Sequence, residues 1–340
     1  MMRACVFKAP QAPLEIVELP DPIAGPGELI VRVRACGICS SDLHAANSTT
    51  DPLPAGTIMG HELAGEIAEL GAGVTGFARG EPVVVMSYLA CGACADCRAG
   101  AGVRCAASRL VGFGEAPGGY AELIATRPAS VFKMPRGMSF RAGATVEPLV
   151  IGMHAARRAR IGAGESCVII GAGATGLMTM LAARDRGAGP IVLSDRALDR
   201  RESALRLGAD AAVDPRMHQP AAAMAKLTGA PPAVVFDCAG EPGTLAQAIT
   251  IVRPRGRVVA VSASMEDDGF PPGLAMGKEL EIYFSLGLEP GEVEATIEAL
   301  ASGRISTEPL VTHAVALNDL PRAFAALQQP NHQVRVMLEF

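Results

Sequence analysis

Residues 165–195 read ESCVIIGAGATGLMTMLAARDRGAGPIVLSD. An apolar run is followed by a glycine-rich turn, a helix-like stretch and a second apolar run that ends in Asp195. This order predicts a β-strand, a tight turn, an α-helix and a second β-strand. The turn fits the pattern G-x-G-x-x-G between a strand and a helix, so we interpret the stretch as the first βαβ unit of a dinucleotide-binding domain.

Each residue of the turn has an expected task in that interpretation. Gly171 makes the tight turn, Gly173 lets the backbone approach a pyrophosphate, and Gly176 lets the helix pack closely on the strand. The helix N-terminus, at Ala174 and Thr175, then faces the phosphates with its free N–H groups.

The acidic end of the second strand bears on which dinucleotide binds. Asp195 lies 19 positions after Gly176, where a carboxylate can accept hydrogen bonds from the adenosine ribose hydroxyls and repel a 2′-phosphate. NAD is therefore favoured over NADP. The alternative stays open because Arg196, Arg200 and Arg201 could hold a phosphate.

Strands and helices keep alternating after this unit, which predicts a parallel, doubly wound sheet of the α/β class. The strand-like runs are LGADAAVD (207–214), PAVVFDCAG (232–240), RGRVVAVSA (255–263) and KELEIYFSLG (278–287). Helices are predicted at 290–302 and 320–327, and HQVRVMLEF (332–340) is predicted to be a strand that returns to the first domain.

A second group of chemically active residues lies upstream, in RACGICSSDLH (34–44) and GHE (60–62). Cys39, His61 and Glu62 offer a thiolate, an imidazole and a carboxylate, which together suit Zn²⁺. A set this small leaves a coordination position for water or substrate. The sequence therefore predicts a catalytic zinc site.

Some of these residues have ordinary alternatives. Asp42 could simply cap a helix, and Cys36 with Cys39 has the spacing of a redox dithiol, although that motif needs a thioredoxin-like context. Glu147, just before Pro148, could reach the metal directly or through water, or could be a solvated first-turn residue favoured by the helix dipole.

A cysteine-rich segment follows, with the spacing C-x₂-C-x₂-C-x₇-C. Four thiolates can enclose a tetrahedral zinc and stabilise a lobe that is too poor in apolar residues to fold by packing alone. We expect a structural zinc here, against the alternative of four unrelated buried thiols. Its ligands would be Cys91, Cys94, Cys97 and Cys105.

Composition limits the partners. The 340 residues suit two domains, and 30 basic against 35 acidic residues give a net charge of −5 without a long run of either sign. This argues against nucleic acid or an anionic membrane as a partner and favours a small molecule. No signal peptide or membrane span is apparent, so a cytoplasmic protein is expected, with metal binding or catalysis rather than disulfides using its 9 cysteines.

The N-terminal part reads as a compact β-rich domain, with short strand-like runs between Pro/Gly turns. ELIVRVRA (28–35) alternates with period two, which predicts a half-buried antiparallel strand that delivers the chain to Cys36 and Cys39.

With these residues identified, the chain resembles the zinc-dependent medium-chain dehydrogenase/reductase family over essentially its whole length. The matching motifs, in the family's order, are GICSSDLH, GHELAGEI, CGACADC…C, VEPL and VIIGAGATG. They are most similar to the sorbitol, butanediol and threonine dehydrogenase branch. The resemblance implies a GroES-like catalytic domain over 1–149 and 289–340, with a structural-zinc lobe at 88–108, and a Rossmann domain over 150–288.

The resemblance also implies roles. Cys39, His61 and Glu62 would hold the catalytic zinc, with Glu147 as a further ligand or water-bridged partner. A second set would support the chemistry: Ser41 would hydrogen-bond the substrate oxygen, Asp42 would support the zinc site, and His44 would end a proton relay through the cofactor ribose. The run YFSLGLEP (283–290) departs from an Arg-Tyr substrate contact of the polyol enzymes, which favours a less polar secondary alcohol or ketone.

The predicted function is hydride transfer between NAD(H) and a secondary alcohol or ketone. Zinc lowers the pKa of a bound oxygen to about 7, so an alcohol can lose its proton near neutral pH. About two zinc ions per chain are expected from the two ligand sets, and the last Rossmann strand could pair across a twofold axis to give a homodimer or homotetramer. A non-catalytic zinc- and nucleotide-binding sensor and a zinc-free quinone or enoyl reductase are the alternatives.

Overall fold

The computed structural model describes residues 1–262, 264, 268–286, 288–328 and 334–340. Its strands, in chain order, are β1 Met2–Val6, β2 Glu15–Leu19, β3 Leu29–Gly37, β4 Glu62–Leu70, β5 Pro82–Val85, β6 Tyr88–Leu89, β7 Arg109–Leu110, β8 Leu123–Thr126, β9 Val131–Lys133, β10 Cys167–Ile170, β11 Ile191–Ser194, β12 Ala211–Val213, β13 Val234–Asp237, β14 Arg257–Ala260, β15 Glu281–Phe284, β16 Val311–Val315 and β17 Arg335–Glu339.

The α-helices of the described residues are α1 Ser40–Asn47, α2 Ala95–Arg98, α3 Phe140–Ala144, α4 Val146–Arg158, α5 Ala174–Asp185, α6 Leu198–Arg206, α7 Pro220–Thr228, α8 Thr244–Ile251, α9 Pro272–Gly277, α10 Glu292–Ala301 and α11 Leu320–Leu327. Within the part of the chain that the structure covers, no helix combines the length and apolar character needed to cross a membrane.

The described chain divides into two compact units. One comprises Met1–Glu147 and Glu289–Phe340, and the other comprises Pro148–Leu288. Each unit has its own sheet and its own core of buried apolar side chains.

The second unit is built on a six-stranded sheet with the order β12-β11-β10-β13-β14-β15, and every neighbouring pair in it is parallel. In sequence order within the unit this is 3-2-1-4-5-6, the arrangement of a dinucleotide-binding Rossmann fold. Its central strands are apolar along their length because helices cover both faces of such a sheet. The doubly wound sheet predicted from strand and helix alternation is confirmed.

The first unit is β-rich. Its main sheet has the order β16-β17-β3-β4-β5-β9, with β8 also paired to β3. The C-terminal strand β17 pairs antiparallel with β3, so the end of the chain lies beside its first long strand. The predicted strand began at His332, but His332 and Gln333 lie outside the described residues, as do Ala263 and Gly287 of two other predicted strands.

The prediction that β3 is half-buried is wrong. Of its nine residues only Arg32 is exposed. The strand pairs with β4, β8 and β17, and the core of the unit packs against it. Period-two alternation identified the strand correctly but overestimated its exposure, because the alternating arginines include the half-buried Arg34.

Candidate functional site

The predicted zinc ligands come together at the end of one antiparallel strand pair. Gly37, the last residue of β3, is the register partner of Glu62, the first residue of β4. Cys39 lies just after the end of β3, and His61 lies just before the start of β4. The pairing of the two strands therefore brings these side chains close together. The donor atoms of Cys39, His61 and Glu62 all lie within 4.8 Å of one another, which suits one ion at about 2.0–2.3 Å from each donor.

Asp42 links the first helix to the imidazole. Its side chain is fully buried, its Oδ1 lies 3.2 Å from His61 Nδ1, and its Oδ2 accepts a hydrogen bond from the backbone N–H of Cys39 at 2.9 Å. Its position is thus compatible with both roles considered for Asp42 from the sequence, that of a helix cap and that of a support for the zinc site. Because Nδ1 faces Asp42, Nε2 of His61 is left for a metal.

The electrostatics of His61 follow from the same contact. Burial lowers the pKa of this imidazole, but the Asp42 carboxylate overrides burial and the pKa lies well above its ordinary value. A cation at this position is therefore favoured. A zinc ion would supply that positive charge in place of a proton.

Tyr120 is a third partner of Asp42 that sequence reasoning missed. Its hydroxyl donates to Asp42 Oδ2 at 2.8 Å. Burial and the Asp42 charge raise the pKa of Tyr120 well above its ordinary value, so the hydroxyl keeps its proton. The GGYAEL segment carries no sign of this contact, since Tyr120 and Asp42 are 78 residues apart.

Glu62 has a buried counter-ion that was also missed. Arg335 of β17 donates to Glu62 Oε2, and side chains of both residues are at most 2% exposed. Burial raises the pKa of Glu62, Arg335 and His61 oppose the rise, and the nearby Glu147 charge adds to it. One signal was available, because Arg335 is a lone charge in the apolar run VRVML.

Glu147 lies in the first turn of α4 and is 8% exposed, so the solvated first-turn alternative is wrong for this side chain. It is close enough to Glu62 to raise its pKa. The donor atoms that lie within 4.8 Å of one another are those of Cys39, His61 and Glu62, and Glu147 is not part of this group.

Ser41 and His44 occupy α1. Ser41 Oγ lies 3.3 Å from His61 Nε2, which puts a hydroxyl beside the proposed metal position. His44, in the last turn of the helix, is exposed. Phe113, which sequence reasoning did not single out, packs against His61 with ring centroids 5.0 Å apart, and provides an apolar surface next to the imidazole.

The cysteine-rich segment gathers its four sulfurs. Donor atoms of Cys91, Cys94, Cys97 and Cys105 lie within 4.8 Å of one another. Backbone N–H groups point at them, with Ala93 N 3.4 Å from Cys91 Sγ and Cys97 N 3.5 Å from Cys94 Sγ. Such N–H contacts stabilise thiolates, the form that binds zinc.

The thiol pKa values fit a shared cation. Hydrogen bonds from backbone N–H groups, that of Ala93 first, lower the pKa of Cys91 to about 6. The pKa of Cys97 is raised to about 12, mainly by desolvation and next by its hydrogen bond with the side chain of Cys94. Four sulfurs this close would not all ionise without a positive charge among them.

The glycine fingerprint of the second unit has the expected geometry. Gly171 has φ +94°, a left-handed conformation that favours glycine. A side chain at Gly176 would collide with the carbonyl oxygen of Gly171, whereas the space over Gly173 is open, with Arg200 Nη1 3.9 Å from where a Cβ would lie. Helix α5 begins at Ala174, with Thr175 in its first turn. The loop therefore has room for a phosphate group at the helix N-terminus.

Asp195 forms hydrogen bonds with the glycine-rich loop and with the segment after β11. Its oxygens accept hydrogen bonds from Ala172 N at 2.9 Å and Ala197 N at 2.8 Å, and Arg200 Nη1 lies 3.7 Å away. Arg196 instead pairs with Glu241. The carboxylate is thus held at the end of β11.

Arg201 has other partners than a phosphate. Its Nη1 donates to the backbone oxygens of Asp195 and Arg196, both at 2.8 Å. The Arg201 side chain therefore stabilises the loop after β11. Of the three arginines considered, Arg200 is the one whose guanidinium group lies beside the Asp195 carboxylate.

A β-rich unit with a Cys-His-Glu donor set and a doubly wound unit with a glycine fingerprint together define a zinc- and dinucleotide-dependent dehydrogenase. Comparisons with known proteins agree with this class. The family described as alcohol dehydrogenase GroES-like domain matches residues 25–136, and the family described as zinc-binding dehydrogenase matches residues 174–302.

Similar proteins cover nearly the whole chain. The sorbitol dehydrogenase of Bacillus subtilis (strain 168) is 32% identical over 337 residues, 96% of this chain and 94% of the relative. A zinc-binding dehydrogenase from Sinorhizobium meliloti 1021 bound to NADP superposes with a TM-score of 0.90 at 28% identity, over 100% of this chain and 99% of the other. A short chain alcohol dehydrogenase of Escherichia coli CFT073 complexed with NADH gives a TM-score of 0.90 at 27% identity, over 100% and 99%.

The chain belongs to the zinc-dependent medium-chain dehydrogenase/reductase family, the zinc-binding alcohol and polyol dehydrogenases. It has their GroES-like and Rossmann-like fold, which confirms the fold class predicted from the sequence. It is an oxidoreductase of secondary alcohols that acts on the CH–OH group of its donors.

Proposed function

We propose that this chain oxidises a secondary alcohol to a ketone, and reduces the ketone in reverse, with NAD as the favoured hydride carrier and Cys39, His61 and Glu62 as the catalytic zinc ligands. One observation carries the proposal: the three donor atoms lie within 4.8 Å of one another. Glu147 supplies a further carboxylate near this set. A zinc-free reductase would have no use for these donors.

When bound, zinc lowers the pKa of the substrate hydroxyl and the nicotinamide takes up the hydride. The residues of the chain orient the zinc ligands and move the substrate proton. Asp42 holds the imidazole of His61 by its Nδ1, and Arg335 holds the carboxylate of Glu62. These contacts fix the orientation of two ligands before any substrate arrives.

Ser41 relays the substrate proton in this proposal. Its Oγ, 3.3 Å from His61 Nε2, accepts a hydrogen bond from the substrate hydroxyl, and as it takes up that proton it passes its own hydroxyl proton onward. His44 is exposed at the other end of α1 and delivers the proton to water. The relay between the two through the cofactor ribose stays a prediction.

Cys91, Cys94, Cys97 and Cys105 hold a second, structural zinc, which gives about two ions per chain. The four-sulfur set supports this role because all four donors are protein groups. The proposed catalytic domain spans 1–149 and 289–340, with the zinc lobe at 88–108, and the proposed NAD-binding domain spans 150–288.

NAD is proposed over NADP on the strength of Asp195. A carboxylate at the end of the second strand binds ribose hydroxyls and repels a 2′-phosphate. Gly171, Gly173 and Gly176, with Ala174 and Thr175, form the proposed pyrophosphate site. Arg196 and Arg200 are proposed to flank the ribose.

The proposed substrate is a less polar secondary alcohol or ketone. Phe113 supports this choice because it adds an apolar ring beside His61. In the run 283–290, the ring of Tyr283 lies against the guanidinium groups of Arg158 and Arg160, whose central carbons are 5.2 and 5.7 Å from the ring centroid. Gly287 of the same run lies outside the described residues.

The proposed assembly is a homodimer or homotetramer that forms through β15. This strand is an edge of the six-stranded sheet. Phe284, its last residue, is 65% exposed, and Leu286, just after the strand, is 87% exposed. Unpaired edges with apolar side chains favour pairing with another chain. A cytoplasmic location is proposed because none of the nine cysteines, all within the described ranges, forms a disulfide bond.

The function is tested with a panel of secondary alcohols and diols, followed by the absorbance of the reduced cofactor with NAD and with NADP. We expect turnover with at least one secondary alcohol, faster with NAD, and none with Cys39→Ser. Turnover by Cys39→Ser at the wild-type rate would overturn the assignment of the catalytic zinc.

A further inference from the structure

Tyr120 places a hydroxyl group deep in the core of the first unit. The residue is 0% exposed and is the largest of the fully buried side chains. A buried hydroxyl is unfavourable unless it is hydrogen-bonded. Phenylalanine would fill the same space without that requirement, so the contact made by the hydroxyl needs a reason.

The hydroxyl acts on the orientation of one carboxylate. It donates to Asp42 Oδ2 at 2.8 Å, and the same oxygen accepts the backbone N–H of Cys39 at 2.9 Å. Oδ1 is left to face His61 Nδ1 at 3.2 Å. Among the described residues, neither Oδ1 nor Nδ1 makes a hydrogen bond to a third group, so their 3.2 Å contact is the one on which the orientation of the imidazole depends.

Tyr120 also contacts the segment that leads to His61. Its backbone N–H donates to Met59 O at 2.9 Å. A side chain at Gly60, which has φ +88°, would collide with the Tyr120 ring. The same residue therefore holds both the chain before the imidazole and the carboxylate that faces the imidazole.

We propose that Tyr120 is a positioning residue of the catalytic zinc site: through Asp42 it keeps the proton of His61 on Nδ1 and directs Nε2 toward the metal. The inference rests on the proposed function, because it needs a zinc at Cys39, His61 and Glu62. Two donors on Oδ2 stop the carboxylate from rotating. With one donor removed, the carboxylate and the imidazole lose part of their fixed orientation.

The test variant is Tyr120→Phe, which keeps the ring and removes only the hydroxyl. We expect zinc at the catalytic site to bind about 3- to 10-fold more weakly, because loss of a group directly behind a ligand weakens binding by about 10- to 100-fold and Tyr120 is one step farther away. Zinc affinity is measured by competition with a chromogenic chelator. The Cys39→Ser protein identifies which part of the titration belongs to this site.

Thr126→Val is the matched control. The Thr126 hydroxyl, in β8, is also buried, and it has no hydrogen-bond partner among the described residues. Its removal should leave the Cys39-dependent zinc affinity unchanged. Tyr120→Phe combined with Asp42→Asn should weaken zinc binding no more than Asp42→Asn alone, because residues that act through one link are not additive.

A second measurement needs no variant. In the zinc-bound wild-type protein labelled with ¹⁵N-histidine, NMR should find the His61 proton on Nδ1. Equal zinc affinity of wild type and Tyr120→Phe, or a proton on Nε2, would overturn the role of Tyr120 while leaving the proposed function intact. A wild-type protein without any Cys39-dependent zinc would overturn the proposed function and this inference together.

Discussion

At the scale of single residues, we expect the chemistry to depend on the Cys39 thiol more than on any other group. It is the only sulfur in the Cys39, His61 and Glu62 set. A serine would keep the size of the side chain but is a poor zinc ligand. We therefore expect Cys39→Ser to lower alcohol oxidation about a thousandfold or more, since a catalytic metal contributes several kcal/mol of transition-state stabilisation.

The measurement is kcat/KM with the best alcohol of the panel, beside far-UV circular dichroism. Cys5→Ser is a suitable control, because this buried thiol of β1 lies in the same unit and outside both donor sets. Activity of Cys39→Ser within tenfold of wild type would refute the role of the thiol.

A second residue prediction concerns Asp195 and the choice of cofactor. Asp195→Ala removes the carboxylate that is expected to accept the ribose hydroxyls, so the preference for NAD over NADP should fall about tenfold. Asp195 also accepts the N–H of Ala172, so Asp195→Asn, which retains an acceptor oxygen, separates the charge from the loop contact. The ratio of kcat/KM for the two cofactors is measured, and an unchanged ratio in Asp195→Ala would mean that the carboxylate does not bind the ribose.

At this scale, sequence reasoning can group residues that lie in short motifs, but it cannot find contacts between residues that are far apart in the chain. Cys39, His61 and Glu62 could be proposed together because their spacing is short. Tyr120 and Arg335 could not, because they meet Asp42 and Glu62 across 78 and 273 positions. Only the fold brings such pairs together.

At the scale of elements, the cysteine-rich segment is the part of the chain where we expect a metal to contribute most to stability. Its regular structure is slight, with α2 four residues long and β6 and β7 two residues each. No side chain of α2 is buried. We therefore expect the lobe to depend on its four sulfurs and a bound ion for its stability.

Cys97→Ser should remove one zinc per chain and lower the melting temperature by about 5–10 °C, because loss of a structural metal removes several kcal/mol of stability. Cys167→Ala is the control, since it alters a buried thiol of β10 outside the lobe and should keep all zinc. An unchanged melting temperature and metal content in Cys97→Ser would exclude a structural zinc.

A further element prediction concerns the start of β10. Glu165 pairs with Arg257 of β14 and accepts Gly162 N at 2.9 Å. Burial would raise the pKa of Glu165, but Arg257 and Gly162 lower it below its ordinary 4.5. A carboxyl group with a lowered pKa stabilises the fold above its unfolded pKa and loses this contribution as pH falls through the folded one.

Glu165→Gln should therefore lower the melting temperature at pH 7, by about 2–10 °C for the 1–3 kcal/mol of a partner left unpaired at Arg257. The difference from wild type should shrink as pH is lowered below 4.5. Melting curves between neutral and acid pH test this, with Glu202→Gln as the control because its pair with Arg206 is exposed. A difference that is constant with pH would show that the charge of Glu165 is not responsible.

At the scale of the whole molecule, the order of elements could be predicted because each βα unit is signalled locally by a change of hydrophobic period. The strand order β12-β11-β10-β13-β14-β15 then follows from right-handed connections. The β-rich unit was less predictable. Its sheet joins β3 to the distant β17, and no local pattern specifies such a pairing.

Assembly is the prediction that belongs to this scale. If chains pair through β15, Phe284→Glu should reduce the dimer or tetramer to monomers, because it puts a charge into an apolar contact. Size-exclusion chromatography with light scattering measures the mass. Met217→Glu, at an exposed apolar side chain elsewhere in the second unit, is the control. A wild-type monomer, or an unaltered oligomer in Phe284→Glu, would refute pairing through this edge.

The central claim is that one zinc is held by Cys39, His61 and Glu62 and a second by the four cysteines of the lobe. Metal analysis of purified wild type, Cys39→Ser and Cys97→Ser tests it most directly. We expect about two zinc ions per chain in the wild type and about one in each variant. A wild-type protein with a single zinc that Cys39→Ser retains would contradict the account.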